Sequence, residues 1–176
     1  MTISPARRAK IASMIRVDQA GEFGATRIYA GQLAVMGNRH PLARDIAHMA
    51  EQEARHRAFF DRLLIERRVR PTLFAPLWHV AGFALGAVTA AMGPRAAMAC
   101  TAAVETEIDS HYREQLEELG DDDPELSAAI ADFRAEEVEH KASAIAAGAE
   151  STPGYPLLSG IIRAGCRTAI ALAKRI

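Results

Sequence analysis

The feature that most limits how this chain can fold is a repeated pairing of a glutamate with a histidine three residues later. Glu53 and His56 form the first pair, and Glu137 and His140 form the second pair in the other half of the chain. Residues i and i+3 of an α-helix project from nearly the same face, so a carboxylate and an imidazole can reach one metal ion together. One pair arises easily by chance, but two pairs related by a sequence repeat predict two helices facing a shared site.

Two further glutamates, Glu22 and Glu105, occupy matching places in the repeat. The interval between them is almost the same as the interval between the two Glu-x-x-His pairs. One glutamate from each of two helices, with a Glu-x-x-His pair from each of two others, is the ligand set of ferritin-like di-iron and di-manganese proteins. Four buried carboxylates balance two divalent ions and would be costly to bury without them. Oxygen and nitrogen ligands favour iron or manganese. The predicted ligands are Glu22, Glu53, His56, Glu105, Glu137 and His140, holding two ions of iron or manganese.

The residues around Glu22 carry two further predictions. Gly21 and Gly24 flank it within a predicted helix, although a glycine there costs about 1 kcal/mol relative to alanine. We interpret them as allowing a close approach of helices around the metal. Histidine ligands usually donate their outer N–H to a partner such as a carboxylate. Asp18 and Asp109, one turn from the single glutamates, are the candidates for that role.

Proline and glycine residues divide the chain into helical segments, and no stretch alternates as a strand would. The sequence predicts an all-α, ferritin-like four-helix bundle with two additional short apolar helices and an internal pseudo-two-fold repeat. We expect one domain over residues 1–176, with repeat halves at about 7–91 and 94–174. The predicted helices cover about residues 7–36, 41–68, 76–91, 94–119, 124–148 and 157–174.

Composition narrows the class of protein. With 49% apolar and 24% charged residues the chain is typical of a globular protein, and its net charge of −1 provides no basic field for nucleic acid. Cys100 and Cys166 form no C-x-x-C motif and are interpreted as buried free thiols. Residues 105–139 are strongly acidic. We interpret the arginines of the basic run at residues 55–70 as mainly a solvated helix face.

The third and sixth predicted helices are unusually apolar. Residues 72–94 include no Asp, Glu, Lys or Arg, but prolines and glycines interrupt them. A buried or membrane-surface helix therefore fits this segment better than a membrane-spanning one. The sixth helix carries Arg163 and Arg167 beside an apolar face, which suits an anionic membrane surface. An ordinary amphipathic helix docked on the bundle is the alternative.

Several segments together resemble the demethoxyubiquinone hydroxylases of ubiquinone biosynthesis, from about residue 14 to the end. Ferritins and rubrerythrins share the Glu-x-x-His pattern but not the Asp-x-Ala-Gly-Glu segment or the closing Ala-Gly-Cys-Arg segment. One departure is Gln19, where animal members carry histidine, and it is not a ligand position. The resembling segments are RVDQAGEFGA at 16–25, RIYAGQ at 27–32, EARH at 53–56, MACT at 98–101, AVE at 103–105, HY at 111–112, EEVEH at 136–140 and AGCR at 164–167.

The resemblance implies an O2-dependent di-iron monooxygenase that hydroxylates the ring of a polyprenyl-methoxy-methylbenzoquinol in the penultimate step to ubiquinone. It carries the same six ligands onto this chain. It also matches His111 and Tyr112 to a pair implicated in handling the quinone ring. By spacing, Tyr112 returns to the metal-facing side of its helix, although a core tyrosine fits that spacing equally well. The family is linked to NADH, but the chain has no G-x-G-x-x-G motif.

The resemblance also implies a peripheral membrane protein that binds through the third and sixth helices. Because the N-terminus is short, we expect the cytoplasmic face of a bacterial inner membrane. A lipid-binding partner protein or a homo-oligomer is compatible with this reading. Two alternatives remain open: another ferritin-like di-metal protein (a peroxidase, a manganese catalase or an iron store), or a helical membrane- or partner-binding module without enzymatic activity.

Overall fold

A computed structural model describes residues 4–175 of the chain. Helices account for most of them, no strand occurs within this range, and the predicted all-α class is confirmed. Each predicted helix is present, with ends that differ by a few residues, and a short 3-10 turn at Ala149–Ser151 is additional. The α-helices are α1 (Pro5–Met36), α2 (Ala43–Glu66), α3 (Ala75–Ala91), α4 (Pro94–Leu119), α5 (Pro124–Ala146) and α6 (Tyr155–Ala173).

The helix ends follow from local chemistry. Ser4 caps α1 by accepting a hydrogen bond from the backbone N–H of Arg7 at 3.2 Å. Asp123 caps α5 in the same way, accepting from the N–H of Leu126 at 3.2 Å. Gly37 ends α1 with a φ of 66°, a left-handed conformation that costs other residues a steric penalty. Capping by short polar side chains and helix ends at glycine therefore explain why the helix boundaries could be predicted from the sequence.

Helices α1, α2, α4 and α5 form the bundle, while α3 packs along α1 and α6 along α4. Two apolar clusters fill the interior, and on each bundle helix the proposed ligand lies between the residues of these clusters. The predicted metal site is therefore enclosed by apolar side chains on both sides along the bundle. The first cluster includes Ile15, Phe60, Leu63, Tyr112, Ile130 and Phe133. The second includes Tyr29, Ile46, Met49, Met98, Ala102 and Ala144.

Helix α3 lies against α1 with the two backbones in direct contact. A Cβ added at Gly86 would overlap the carbonyl oxygen of Ile28, and it would lie 2.8 Å from the carbonyl carbon of the same residue. A Cβ added at Gly31 would overlap the carbonyl oxygen of Phe83. Small residues on both helices are therefore required for this packing.

The predicted role of the glycines beside Glu22 is wrong. A Cβ at Gly24 would meet nothing within 4 Å, and one at Gly21 would meet only the side chain of Ile108 at an ordinary 3.7 Å. Neither glycine is needed to bring helices together around the metal centre. The backbone oxygen of Gly24 instead approaches α3, 2.9 Å from a Cβ built at Gly82.

The arginines of the basic run are not simply a solvated face, as the sequence interpretation had them. Arg62 of α2 donates to Glu125 of α5 at 3.0 Å, and Arg67 donates to the same carboxylate at 3.0 Å. Further along, Arg55 donates to Glu136 at 2.7 Å. The basic run of α2 therefore pairs with the acidic stretch across the α2–α5 interface. Solvent screens such exposed pairs, so each adds little net stability.

Both cysteines are free, as predicted. Cys100 is buried, whereas Cys166 is only half-buried, so the prediction of burial holds fully for the first alone. Burial raises the pKa of each thiol to about 12. Neither side chain is therefore a thiolate at neutral pH.

The two outer helices leave large apolar side chains in contact with solvent. On α3 these include Leu77, Val80 and Val88, and on α6 they include Leu157 and Ile161. Helix α6 is long and apolar enough to cross a membrane by length and composition alone, and only 11% of that stretch is buried. One helix that passes such a test is weak support for a membrane span.

Candidate metal centre

The structure brings the six predicted ligands together in two overlapping groups inside the bundle. Within each group, one possible ligand atom per residue lies within 4.8 Å of the others, and all members are buried. Two residues are shared by both groups, so each is placed to contact two ions. The first group is Glu22, Glu53, His56 and Glu137. The second group is Glu53, Glu105, Glu137 and His140.

Both histidines point the same ring nitrogen towards the carboxylates. The Nδ1 atom of His56 lies 3.2 Å from Oε1 of Glu137 and 3.6 Å from Oε2 of Glu22. The Nδ1 atom of His140 lies 3.1 Å from Oε2 of Glu137 and 3.4 Å from Oε1 of Glu53. The i, i+3 spacing therefore presents Nδ1, not Nε2, as the nitrogen available to an ion.

The outer nitrogens of the two histidines find partners on the opposite helix. Nε2 of His56 lies 2.9 Å from Oε2 of Glu136, and Nε2 of His140 lies 3.0 Å from Oε1 of Gln52. Since both partners accept, an N–H stays on Nε2, and Nδ1 is the nitrogen that would give its lone pair to an ion in place of a proton. Phe133 stacks on the ring of His56 with 4.1 Å between centroids, which further fixes that ring.

The predicted partners Asp18 and Asp109 do not reach these histidines, and that prediction is wrong. Asp109 accepts from Nε of Arg134 at 2.6 Å. Asp18 faces α4, where it lies 3.0 Å from Nε2 of His111 and accepts from Gln115 at 2.6 Å. The sequence argument considered position within one helix, whereas the partner is set by how the helices cross.

Two tyrosine hydroxyls donate to the glutamates of α1 and α4. Tyr112 of α4 donates to Oε1 of Glu22, so it does return to the metal-facing side of its helix. Tyr29 of α1 donates to Oε1 of Glu105 at 2.8 Å. Sequence reasoning missed Tyr29, although the repeat offered a signal, because the interval from Tyr29 to Tyr112 equals the interval between the two glutamates.

The remaining histidines lie outside the centre. His111 is directed to Asp18 and its side chain is 11% exposed. Its predicted role in handling the quinone ring stays a prediction. His79 stacks on Phe23, and Nδ1 of His40 accepts from the N–H of Leu42.

Burial controls the protonation of the carboxylates. Desolvation, followed by repulsion from Glu137, raises the pKa values of Glu53 and Glu105 well above their usual range. Burial also opposes ionisation of Glu137, but hydrogen bonds from His140 and His56 outweigh it and hold its pKa at about 2. Burial disfavours the charged form of His56, yet Glu137 and Glu22 raise its pKa to about 10. Protons therefore offset part of the negative charge when no cation is bound.

The donor set fits two metal ions. Several atoms at the centre are buried and have no hydrogen-bond partner among the described residues: both carboxylate oxygens of Glu53, Nδ1 of His56 and Oε1 of Glu137. Unpaired buried polar atoms of this kind are costly, and a bound cation would satisfy them. Four carboxylates and two imidazoles are suitable ligands for iron or manganese.

Two surface clefts lie away from the centre. The larger, about 400 Å³, lies between α1, α2 and α3 and is lined by residues that include Phe23, Arg27, Arg57 and His79. The smaller, about 230 Å³, lies near the start of α1 beside Arg67. Neither is lined by His111 or Tyr112.

Comparison with known proteins extends these observations to a family. Residues 9–173 match the family described as Ubiquinone biosynthesis protein COQ7. The chain is 54% identical to the 3-demethoxyubiquinol 3-hydroxylase of Rhodospirillum rubrum, over 98% of this chain and 81% of that protein. It is 48% identical to the NADPH-dependent 3-demethoxyubiquinone 3-hydroxylase, mitochondrial, of Homo sapiens, over 100% of this chain and 82% of that protein. It is 40% identical to the 5-demethoxyubiquinone hydroxylase, mitochondrial, of Saccharomyces cerevisiae, over 99% and 82%. This chain belongs to the COQ7 family of ubiquinone biosynthesis proteins.

Proposed function

We propose that this protein is a di-iron monooxygenase that hydroxylates the ring of a demethoxyubiquinol, a polyprenyl-methoxy-methylbenzoquinol, in the penultimate step of ubiquinone biosynthesis. Its relatives are named as hydroxylases of demethoxyubiquinol or demethoxyubiquinone. The observation that carries the proposal is the convergence of four glutamates and two histidines in two overlapping groups. A hydroxylase that inserts oxygen into a ring needs a redox cofactor, and this cluster is suited to hold one.

Two iron ions would be held by the two groups, with Glu53 and Glu137 shared between them. Bound iron would supply the redox chemistry that activates molecular oxygen. The chain itself fixes its donor atoms before an ion arrives, because Gln52 and Glu136 orient the two imidazoles.

The surrounding side chains separate a dry region from a polar one. Phe60, Ile15 and Phe133 belong to an apolar cluster beside the centre, which excludes water. On the α1–α4 side, the hydroxyl of Tyr112 donates a hydrogen bond to Glu22. The ring of His111, which directly precedes Tyr112 on α4, lies within hydrogen-bond distance of the carboxylate of Asp18. This polar side is where we place proton exchange with the substrate hydroxyls.

The reaction needs two electrons from outside the chain. One atom of O2 enters the ring and the other leaves as water, with two electrons and one proton supplied by a reductant and a second proton taken from solvent. The resemblance suggested NADH, whereas the mammalian relatives are named as NADPH-dependent. We propose a reduced nicotinamide as donor and test both forms.

We also propose that the protein binds the cytoplasmic face of a bacterial inner membrane as a peripheral protein. The support is the exposed apolar surface of α3 and α6, which includes Leu77, Val80, Leu157 and Ile161. The two arginines of α6, Arg163 and Arg167, pair with Glu107 at 2.5 and 3.0 Å. Lys174 and Arg175, exposed just beyond the end of α6, would therefore be the cations that contact anionic headgroups. A substrate with a polyprenyl tail resides in such a membrane, and a lipid-binding partner or a second copy would cover the same apolar surface.

The double substitution Leu157→Asp, Ile161→Asp should release the protein from vesicles that contain anionic phospholipid. Each side chain removes apolar area from water on insertion, worth up to about 1.5–3 kcal/mol, so we expect affinity to fall at least about tenfold. Co-sedimentation measures this. Val138→Asp is the matched control, since Val138 is exposed on α5, away from the proposed surface. Equal binding by both variants would refute the assignment of α6.

The hydroxylase activity is tested directly with protein loaded anaerobically with ferrous iron. A short-tailed demethoxyubiquinol, NADPH or NADH, and isotopically labelled O2 are added, and mass spectrometry follows the product. We expect one labelled oxygen in the ring, dependent on iron and on one of the two nicotinamides. Labelled product without iron would contradict the di-iron assignment. Peroxide disproportionation by a manganese-loaded form, with no hydroxylation, would favour the catalase alternative.

A further inference from the structure

Two tyrosines are related by the same repeat that relates the proposed ligands. Tyr29 follows Glu22 by seven residues, and Tyr112 follows Glu105 by seven. Seven residues are about two helical turns, so each hydroxyl returns to the face that carries its own helix's glutamate. Each then donates to the glutamate of the opposite helix: Tyr29 to Glu105, and Tyr112 to Glu22. The hydrogen bonds therefore cross between α1 and α4 in a pseudo-symmetric pair.

The surroundings of the two tyrosines differ. Beside Tyr112 lie polar groups, including Asp18 with its partners His111 and Gln115. Both tyrosines are 1% exposed and each belongs to an apolar cluster, Tyr112 to the first and Tyr29 to the second, so the difference lies in these polar neighbours. The ring of Tyr29 also lies edge-on to His140, with 6.4 Å between centroids. Tyr29 therefore contacts two members of the second ligand group and lies in dry surroundings.

We infer that Tyr29 is a positioning residue for the second metal position, acting by fixing the carboxylate of Glu105. A buried hydroxyl that loses its partner costs free energy, so in an apolar cluster this hydrogen bond is maintained. It occupies Oε1 of Glu105 and hinders rotation of the carboxylate. The other oxygen, Oε2, is then the one left for an ion.

The inference rests on the proposed metal binding and adds a residue outside the ligand set. Loss of a partner that orients a ligand typically lowers metal affinity by about 10- to 100-fold. The variant Tyr29→Phe keeps the ring and removes only the hydroxyl. We expect it to weaken ferrous iron at one of the two positions by about 10- to 100-fold. We also expect it to change the Mössbauer signature of that position only.

The chain offers a matched control among its own tyrosines. Tyr155, at the start of α6, is half-buried and packs on the second apolar cluster away from the ligands. Tyr155→Phe should leave iron affinity and spectrum unchanged. Anaerobic titration with ferrous iron against a chelator gives the affinities, and thermal unfolding of the metal-free variants reports on the fold.

A double-variant cycle separates positioning from a general effect on the fold. In a Glu105→Ala background, Tyr29→Phe should cause no further loss of iron affinity, because its target carboxylate is gone. A further loss of similar size would overturn the inference, as would wild-type affinity and spectrum for Tyr29→Phe alone, or a variant that does not fold without metal. If the wild-type chain binds no iron, the proposed function itself fails, and the two failures are distinguishable.

Discussion

Glu137→Ala should remove both metal ions and reduce hydroxylation to background. Glu137 belongs to both ligand groups, and its two oxygens lie 3.2 Å from Nδ1 of His56 and 3.1 Å from Nδ1 of His140. Its loss therefore takes a carboxylate from each position at once. Since loss of an outer partner alone costs about 10- to 100-fold in metal affinity, loss of a shared ligand should exceed about 100-fold. Elemental analysis of gently purified protein measures the ions per chain.

The control for this substitution is Glu139→Ala, on the same helix two residues later. Glu139 is exposed and outside both ligand groups. It should retain the wild-type metal content and activity. Unfolding temperature is a poor readout here, because removal of one buried acid also relieves repulsion with Glu53 and Glu105 in the metal-free protein. Wild-type iron content in Glu137→Ala would contradict the ligand assignment.

The six proposed ligands could be brought together from sequence because their relation is local and repeated. An i, i+3 pair such as Glu53 and His56 shares a helix face wherever the helix packs. The nearly constant interval of the sequence repeat then identifies the equivalent pair in the second half of the chain. Proline and glycine fixed the helix ends, as Gly37 does for α1. Neither argument needed the crossing geometry of the helices.

The partners of the histidines could not be found in this way, because they belong to a neighbouring helix. Gln52 reaches His140 and Glu136 reaches His56 across the α2–α5 interface, and these distances depend on how the helices cross. Asp18 had the right spacing along α1 but faces α4. The repeat contained a clue, since Gln52 and Glu136 each directly precede the glutamate of a Glu-x-x-His pair.

The glycines were harder still, because a sequence does not state which helix packs on which. The close approach lies between α1 and α3, at Gly31 and Gly86, and not beside the metal at Gly21 and Gly24. Nothing in the local pattern distinguishes these positions. Only the pairing of α1 with α3 does, and it makes the glycines of α3 sensitive to the smallest substitution.

Gly86→Ala should destabilise the protein strongly, although it adds a single methyl group. That Cβ would overlap the carbonyl oxygen of Ile28, which belongs to a helix backbone and cannot rotate away as a side chain can. The helices must separate, so we expect a loss of at least about 2 kcal/mol. For a chain of this size each kcal/mol lowers Tm by about 2–4 °C, so thermal unfolding should shift by at least about 4 °C.

Gly160→Ala provides a control for which we expect a gain, not a loss, of stability. Gly160 lies within α6, and a Cβ built there meets nothing within 4 Å. Alanine should therefore stabilise that helix by up to about 1 kcal/mol through its better helix propensity. A destabilised Gly86→Ala beside a neutral or stabilised Gly160→Ala would show that backbone contact, not glycine as such, holds α3 on α1. Equal stability of the two variants would mean that α3 does not pack so closely, and that the exposed apolar surface has a different shape.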